Sequence, residues 1–371
     1  MSHHIHRSAL TTPDPIDREQ SEPLDISSAL DVEQLDTNLF RSRSLYLPYR
    51  ARGVFGGQVI SQGLVAATKS VKPDFALHSL HCYFLQAVTP SIPVLYYVDR
   101  VREGRSYATR LVRAVQGGKD ALTMMCSFQL PEPWQPSQSW KMYKVAPPES
   151  CPDEVELLRR MATEQLDRTE DAKAWLRGYA QAREESPVAV KHAGEHIGPD
   201  GRRTFLYWMK AKTDKKFPVS LHKVVFLLYL RSERLTSAFK VHNGLHFRPS
   251  LVRDIIIMTR GTFENTVPSL SMAPAITGAG LKRSLDNKGP KALAMASSLD
   301  HSIVFYEHEF DCTEWFLYAM TSQVSGHGRG CATGLLYSRE GKLLAVANQE
   351  GVMRANIRDP KKNGVKEKAK I

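Results

Sequence analysis

Two distant stretches of the chain share one pattern, and this pattern decides the fold. Residues Leu77–Leu85 read LHSLHCYFL, and residues Ser298–Tyr306 read SLDHSIVFY, 221 positions later. After each stretch come a small-residue turn, a strand, a Gly-Lys turn and a second strand. The two Gly-Lys turns begin at Gly118 and Gly341, 223 positions apart. Such a nearly constant spacing indicates an internal repeat, so the sequence predicts two copies of one α+β unit.

Each copy also contains a candidate central helix. In the first copy, the segment GGQVISQGLVAATKSV begins at Gly56 and places small residues such as Gly63 and Ala67 on one face. This face allows close approach to a curved sheet, but the segment also fits an ordinary amphipathic core helix. The corresponding helix of the second copy is Leu221–Leu230, which is far more apolar.

The length of 371 residues suits two domains, because single cores stop growing near roughly 250–300 residues. Patterned sequence alternates with polar and Pro-rich sequence along the chain. We predict a disordered segment (1–30), a first unit (31–135), a linker with one helix over Val155–Arg183 (136–200), a second unit with an irregular insertion at 236–296 (201–355) and a basic tail (356–371).

The overall charge is basic, with 50 Lys and Arg against 39 Asp and Glu and a formal net charge of +11. This charge admits nucleic acid, a membrane surface or a polyphosphorylated small molecule as partner. A transmembrane span is not expected, because no stretch approaches about 18 consecutive apolar residues. The N-terminus lacks the apolar core of a secretion signal, and the five scattered cysteines fit free thiols in a reducing compartment. We therefore expect an intracellular, soluble protein.

Two motifs of other protein classes also occur in the chain. Residues His192–His196 fit the metalloprotease pattern H-x-x-E-H, which requires a helix, but Gly194 and Gly198 favour a loop. The glycine-rich run Gly326–Gly330 has the spacing of a hairpin turn rather than that of a dinucleotide-binding loop. No metal and no cofactor are therefore expected, and nucleic-acid binding has no recognised motif.

Three segments occur in a characteristic order over about 250 of the 371 residues. They are GGQ at Gly56 with LHSLHCYFL, the run REGRSYATRLVRAVQGGK from Arg102, and SLDHSIVFY with GKLLAVANQEGVMR from Gly341. Together they resemble the acyl-CoA thioesterase II family, the double-hotdog enzymes that hydrolyse fatty acyl-CoA. The resemblance implies an α+β fold of two tandem hotdog units, in each of which an antiparallel sheet wraps a central helix. It also implies fatty acyl-CoA as the partner, bound between the units.

The same resemblance implies a catalytic trio of Asp, Ser or Thr, and Gln that holds the attacking water. The hydroxyl falls on Ser298 and the amide on Gln349. A gap-free match places Arg231 at the Asp position, and Glu233 is the nearest carboxylate if two residues are inserted. An arginine cannot accept a proton as a carboxylate does. We expect further substrate contacts from Gly57, Gln58, Asp300 and Arg329, with Arg102, Arg105, Arg110 or Arg113 as other candidates for a CoA phosphate.

Several alternatives remain open from the sequence. With Arg231 at the Asp position, the chain could be an acyl-CoA-binding relative that has lost its base. A hotdog enoyl-CoA hydratase is the other alternative, although no Asp-His pair has hydratase spacing. The final residues Ala369-Lys370-Ile371 resemble the Ser-Lys-Leu peroxisome address, so we expect a peroxisomal and otherwise a cytoplasmic location. Assembly into a homo-oligomer is also an expectation.

Overall fold

The computed structural model of the protein describes residues 26–48, 51, 53–164, 170–213, 222–225, 246–247 and 292–355. Arg231, Glu233, the basic tail and most of the predicted insertion 236–296 lie outside the described residues. Among the described residues, no helix is long and apolar enough to cross a membrane.

The first half of the described chain contains six strands and two helices. They are α1 (Ile26–Leu30), β1 (Val32–Asp36), β2 (Leu39–Ser42), α2 (Gly56–Thr68), β3 (Ala76–Phe84), β4 (Leu95–Glu103), β5 (Tyr107–Gln116) and β6 (Lys119–Gln129). The second half contains α3 (Glu154–Glu164), α4 (Glu170–Glu184), β7 (Val188–Ile197), β8 (Arg203–Ala211), β9 (His246–Phe247), β10 (Ala292–Ser298), β11 (Asp300–Phe305), β12 (Phe316–Gly326), β13 (Arg329–Tyr337) and β14 (Leu343–Ala355). A short 3₁₀ helix at Pro148–Ser150 precedes α3, and residues 222–225 are helical.

One continuous sheet carries both units, in the order β1-β2-β4-β5-β6-β3-β11-β14-β13-β12-β8-β7. Read from either end, this order passes through two outer strands and a three-stranded meander to a central strand. The central strands β3 and β11 pair antiparallel, with Leu80 opposite Ile303. The sheet therefore has an approximate two-fold axis between β3 and β11, which confirms the predicted duplication.

Helix α2 lies in the concave side of the first half-sheet and is buried from Gly57 to Ala67. A Cβ atom on Gly63 would lie 3.4 Å from Tyr96 and Val112, so the helix and the sheet are in close contact at this point. Of the two interpretations of this segment, the structure supports close approach to a curved sheet. A sheet wrapped around a central helix is the hotdog architecture that the sequence predicts.

The region predicted as a linker differs from the prediction. Instead of one helix over Val155–Arg183, the structure has α3 and α4 folded back on each other, with Leu158 packed near Leu176. Arg159 and Glu184 form an ion pair at 2.5 Å, which a single straight helix would not permit. Beyond α4, strand β7 pairs with β8 and forms the outer edge of the second half-sheet.

Strand β7 also corrects the interpretation of the H-x-x-E-H motif. His192 and His196 belong to this strand and not to a loop. Four residues along a strand span about 13 Å, so the two imidazoles cannot share one ion. Each ring has its own aromatic neighbour, Tyr207 for His192 and Tyr143 for His196.

Candidate active site

The predicted hydroxyl and amide meet on the concave side of the second half-sheet. The Gln349 side chain donates a hydrogen bond from Nε2 to the Ser298 Oγ atom, at 2.6 Å. Gln349 is only 1% exposed, and its Oε1 atom is buried with no hydrogen-bond partner among the described residues. The pair therefore presents a buried acceptor next to a hydroxyl, which is a site for a hydrogen-bond donor such as water.

The strands explain why these two side chains meet. On β14, Ala345, Ala347 and Gln349 alternate onto the buried face. Ser298 pairs with Gly351, two residues from Gln349 on the same face, so Ser298 and Gln349 are diagonal neighbours.

A β-bulge lies between β10 and β11 and directs the Ser298 side chain. Ser298 pairs with Gly351 whereas Ser302 pairs with Asn348, so the β10–β11 side contains one extra residue. The Leu299 N–H group at this position donates to the carbonyl of Glu350 at 2.9 Å. Bulges of this kind often lie beside functional sites, where they redirect a side chain.

The two-fold axis gives the site a counterpart in the first unit. Leu77 pairs with Phe128 as Ser298 pairs with Gly351, and a register shift follows Leu77 as the bulge follows Ser298. The separations of 221 and 223 residues then make Leu77 the equivalent of Ser298 and Cys126 the equivalent of Gln349. Burial raises the pKa of the Cys126 thiol to about 12. The second unit therefore has the Ser298–Gln349 pair, whereas the equivalent positions of the first unit hold Leu77 and Cys126.

Asp300 and Arg329 belong to a different group of contacts. The Asp300 carboxylate accepts the backbone N–H of Glu350 at 2.7 Å and contacts Nε2 of His81 at 3.1 Å. Arg329 donates to the Glu350 carboxylate at 3.0 Å and has a mostly exposed side chain. Because consecutive residues of a strand face opposite sides, the Glu350 side chain points away from Gln349. The structure does not bring Asp300 and Arg329 to the Ser298–Gln349 pair, and their binding of substrate stays a prediction.

Gly57 and Gln58 lie in the first turn of α2. The Gln58 carboxamide accepts the N–H of Tyr46 at 2.7 Å and donates to the carbonyls of Ala29 and Ser44. Its side chain is therefore engaged in holding the preceding segment. Residue Phe55 provides no side-chain cap, and its carbonyl accepts the N–H groups of Gln58 and Val59, so the N–H groups of Gly56 and Gly57 are the ones suited to a ligand.

Arg110 is not available to a CoA phosphate, which corrects one sequence expectation. The side chain is fully buried and donates to the hydroxyl and carbonyl of Ser70, to the carbonyls of Arg102 and Thr109, and to the carboxylate of Glu103. The five N–H groups of the guanidinium therefore face five described acceptors. The strict alternation of β5, which buries every second residue, places Arg110 on the inner face.

A second cluster brings together three side chains of the types that ligate metal ions, His222, Asp311 and Cys312. His222 Nδ1 lies 3.3 Å from the Cys312 sulfur and 3.6 Å from Asp311 Oδ1. The same Nδ1 atom accepts the Cys312 backbone N–H at 3.1 Å, and Asp311 accepts the N–H and hydroxyl of Thr313. Burial raises the pKa of the Cys312 thiol to about 12. The nitrogen of His222 and the carboxylate of Asp311 are therefore engaged in hydrogen bonds within the protein. The His222 contact connects helical residues 222–225 to the loop before β12.

Sequence reasoning missed His301, which is fully buried on β11. It follows Asp300 in the SLDH stretch and takes the place of an apolar residue in the inward series His301, Ile303 and Phe305. The signal was present in the sequence, because the equivalent series in the first unit is Leu80, Cys82 and Phe84.

These features define a double-hotdog protein that carries the Ser298–Gln349 hydroxyl–amide pair in its second unit. The family model for the acyl-CoA thioesterase N-terminal domain matches residues 46–129. The family model for the C-terminal domain matches residues 148–353. Acyl-coenzyme A thioesterase 8 of Mus musculus is 31% identical over 89% of this chain and 88% of its own length. The chain belongs to the acyl-CoA thioesterase family.

Two further similarities extend this finding. A peroxisomal acyl-coenzyme A thioester hydrolase of Saccharomyces cerevisiae is 36% identical, over 22% of this chain and 23% of its own. The crystal structure of an acyl-CoA thioesterase II from Mycobacterium marinum aligns with a TM-score of 0.60 and 24% identity, over 89% of this chain and 98% of that one. The structural alignment confirms the predicted tandem hotdog fold.

Proposed function

We propose that the protein hydrolyses fatty acyl-CoA thioesters to the free acid and CoA, with Ser298 and Gln349 holding the attacking water. The observation that carries this proposal is the 2.6 Å hydrogen bond between the two side chains. It leaves the Gln349 Oε1 atom as a buried acceptor with no hydrogen-bond partner among the described residues. Membership of the acyl-CoA thioesterase family supports the same reaction.

The hydrogen-bonding capacity of the pair suits a nucleophilic water. Gln349 Oε1 can accept one water hydrogen, and the Ser298 hydroxyl can donate its own hydrogen to the water oxygen, so the second water hydrogen stays available to a base. A water held in this way presents an oxygen lone pair to the thioester carbonyl carbon. Its oxygen forms the new bond to carbon, the carbon–sulfur bond breaks, and one water proton passes through a base to the departing CoA thiolate.

The mechanism also requires a base. By the family resemblance, the Asp position corresponds to Arg231 or, after a shift of two residues, to Glu233, and both lie outside the described residues. We propose Glu233 as the base. Negative charge develops on the thioester carbonyl oxygen during the attack. The start of α2 at Gly57, which has no side-chain cap, would stabilise this charge, because helix N-termini offer N–H groups and the positive end of the helix dipole.

The test is turnover of palmitoyl-CoA, followed by a reagent that detects the released thiol. Ser298→Ala and Gln349→Leu should each lower kcat by about 10²-fold, since each removes a positioned polar group. Asn348→Ala is the matched control, because Asn348 neighbours Gln349 in β14 but bonds Thr333 at 2.6 Å on the other face. Full activity in both site variants would refute the proposed role of the pair.

Two further variants separate the hydrolase from a relative that only binds acyl-CoA. If the wild type turns over and Glu233→Ala does not, then Glu233 supplies the base. If the wild type is inactive and Arg231→Asp gains activity, the chain is a binding protein that lost its carboxylate. Product analysis with an enoyl-CoA substrate would reveal hydration instead.

We propose a peroxisomal location, with Ala369-Lys370-Ile371 as the address. The similarity to the peroxisomal hydrolase of Saccharomyces cerevisiae supports this location. A fluorescent protein fused to the N-terminus should reach peroxisomes, and removal of the three residues should leave the fusion in the cytosol. Unchanged peroxisomal fluorescence after the removal would refute the address.

A further inference from the structure

The buried imidazole of His301 lies next to the proposed site. His301 pairs with Cys82 on β3, and its side chain is fully buried. On the other side of β11, Ser302 pairs with Asn348, so one step further along both strands brings His301 opposite Gln349. The alternation of side chains puts both residues on the concave face of the sheet.

The first unit has an apolar counterpart for each of these positions. There, Leu80 pairs with Cys126, as His301 faces Gln349 in the second unit. Leu80 is also buried, so a leucine at this position fits the fold. A buried imidazole needs a polar environment, which a leucine does not. Its presence in the unit with the Ser298–Gln349 pair therefore points to a role in that site.

The surroundings of Gln349 indicate what this role is. A terminal carboxamide turns easily and can exchange its oxygen and nitrogen. Only the orientation with Nε2 toward Ser298 leaves Oε1 free to accept a water hydrogen. On the β13 side Gln349 pairs with Ala332, whose methyl group is too short to restrict the amide. On the β11 side, the larger side chain of His301 can restrict the rotation of the Gln349 amide.

We propose that His301 is a positioning residue that holds the Gln349 carboxamide in its water-binding orientation. This inference rests on the proposed function of the Ser298–Gln349 pair. The variant His301→Leu tests it, because the first unit has leucine at the equivalent position. We expect kcat for palmitoyl-CoA to fall by about 10²-fold, since small misplacements of a positioning group have effects of that size. KM should change by less than about threefold, because no direct contact with substrate is proposed.

A double-mutant cycle provides a readout that a merely structural role would not affect. If His301 acts through Gln349, then His301→Leu should lower kcat no further in a Gln349→Leu background. Multiplicative losses would refute the proposal, as would an unchanged kcat in the single variant. Ile303→Val is the matched control, because Ile303 is buried on the same face of β11 but pairs with Ala347. This control should keep kcat.

A crystal structure of the His301→Leu protein separates this proposal from the proposed function. We expect the Gln349 amide to leave Ser298, with the Nε2–Oγ distance increasing beyond 3.5 Å. A retained contact near 2.6 Å would refute the positioning role even if the wild type had no thioesterase activity. Absence of turnover in the wild type, by contrast, would refute the proposed function. The Nε2–Oγ distance in the His301→Leu structure would still decide whether His301 positions the Gln349 amide.

Discussion

Ser298 and Gln349 are 51 residues apart in the sequence, and the Gln349 amide donates a 2.6 Å hydrogen bond to the Ser298 hydroxyl. The hydroxyl is the part of Ser298 that this contact uses. Ser298→Thr should therefore keep kcat for palmitoyl-CoA within about threefold, whereas Ser298→Val should lose about 10²-fold. The two variants have nearly the same shape and differ in the hydroxyl. Equal activity in both would contradict a role for the hydroxyl group.

Much of this site could be predicted from the sequence because it depends on the internal repeat. The spacing of the repeat aligns Ser298 with Leu77, and the family resemblance provides the Gln349 position. The placement of Asp300 could not be predicted in the same way. A bulge at Leu299 adds one residue to the strand, so simple alternation no longer gives the face on which Asp300 lies.

The rest of the fold illustrates two further limits. The amphipathic period of Val155–Arg183 is the same for one long helix as for two helices that fold back on each other, and the packing of Leu158 near Leu176 distinguishes them. Strand β7 was missed because its outer half, up to Ile197, is polar and mostly exposed, as suits the edge of a sheet.

Arg110 should contribute to stability and not to substrate binding. Its fully buried guanidinium donates to Ser70 at 2.7 and 3.0 Å and to Glu103 at 2.5 Å. Arg110→Met should lower the free energy of unfolding by about 2–4 kcal/mol, because it leaves several acceptors without a donor. The KM for palmitoyl-CoA should stay unchanged in the folded variant.

Arg329→Met is the control for this prediction. The Arg329 side chain is 58% exposed, and exposed ion pairs contribute at most about 1 kcal/mol. Urea unfolding of both variants measures the difference. Similar stability losses at the two positions would contradict the structural role of Arg110.

Lys223 should make stability depend on pH in the alkaline range. Its ammonium is buried at the junction of the two units, donates to the carbonyl of Leu77 at 2.8 Å and lies 5.3 Å above the Phe305 ring. Burial lowers the pKa of Lys223 from 10.5 to about 8. Burial and the nearby Lys223 charge also lower the pKa values of His78 and His308.

The sign of the effect follows from proton binding. Between pH 8 and 10.5 the unfolded chain keeps the Lys223 proton that the folded protein has released, so the folded state gains stability as the pH rises. Relative to Lys223→Met, the wild type should gain on the order of 3 kcal/mol across this range. Urea unfolding of both proteins at pH 7.5 and pH 10.5 measures the gain. Parallel pH profiles would contradict the burial of a charged Lys223.

Gly334 should not tolerate a side chain, because the Tyr318 ring occupies the space next to it. An added Cβ atom would overlap the ring and hydroxyl of Tyr318, which is fully buried on the neighbouring strand β12. Gly334→Ala should lower the free energy of unfolding by about 1–3 kcal/mol, as overpacking in a core does. Gly326→Ala is the matched control, since a Cβ atom there has no neighbour within 4 Å.

A second substitution tests the cause of this loss. In a Tyr318→Leu background the ring is absent, so Gly334→Ala should cost less than it does in the wild type. The two substitutions are then non-additive, and urea unfolding of the four proteins measures the coupling between them. Equal costs in both backgrounds would mean that Gly334 is required for a reason other than the Tyr318 ring. The coupling is therefore the decisive quantity, because it isolates one contact between β12 and β13 from every other effect of the two substitutions.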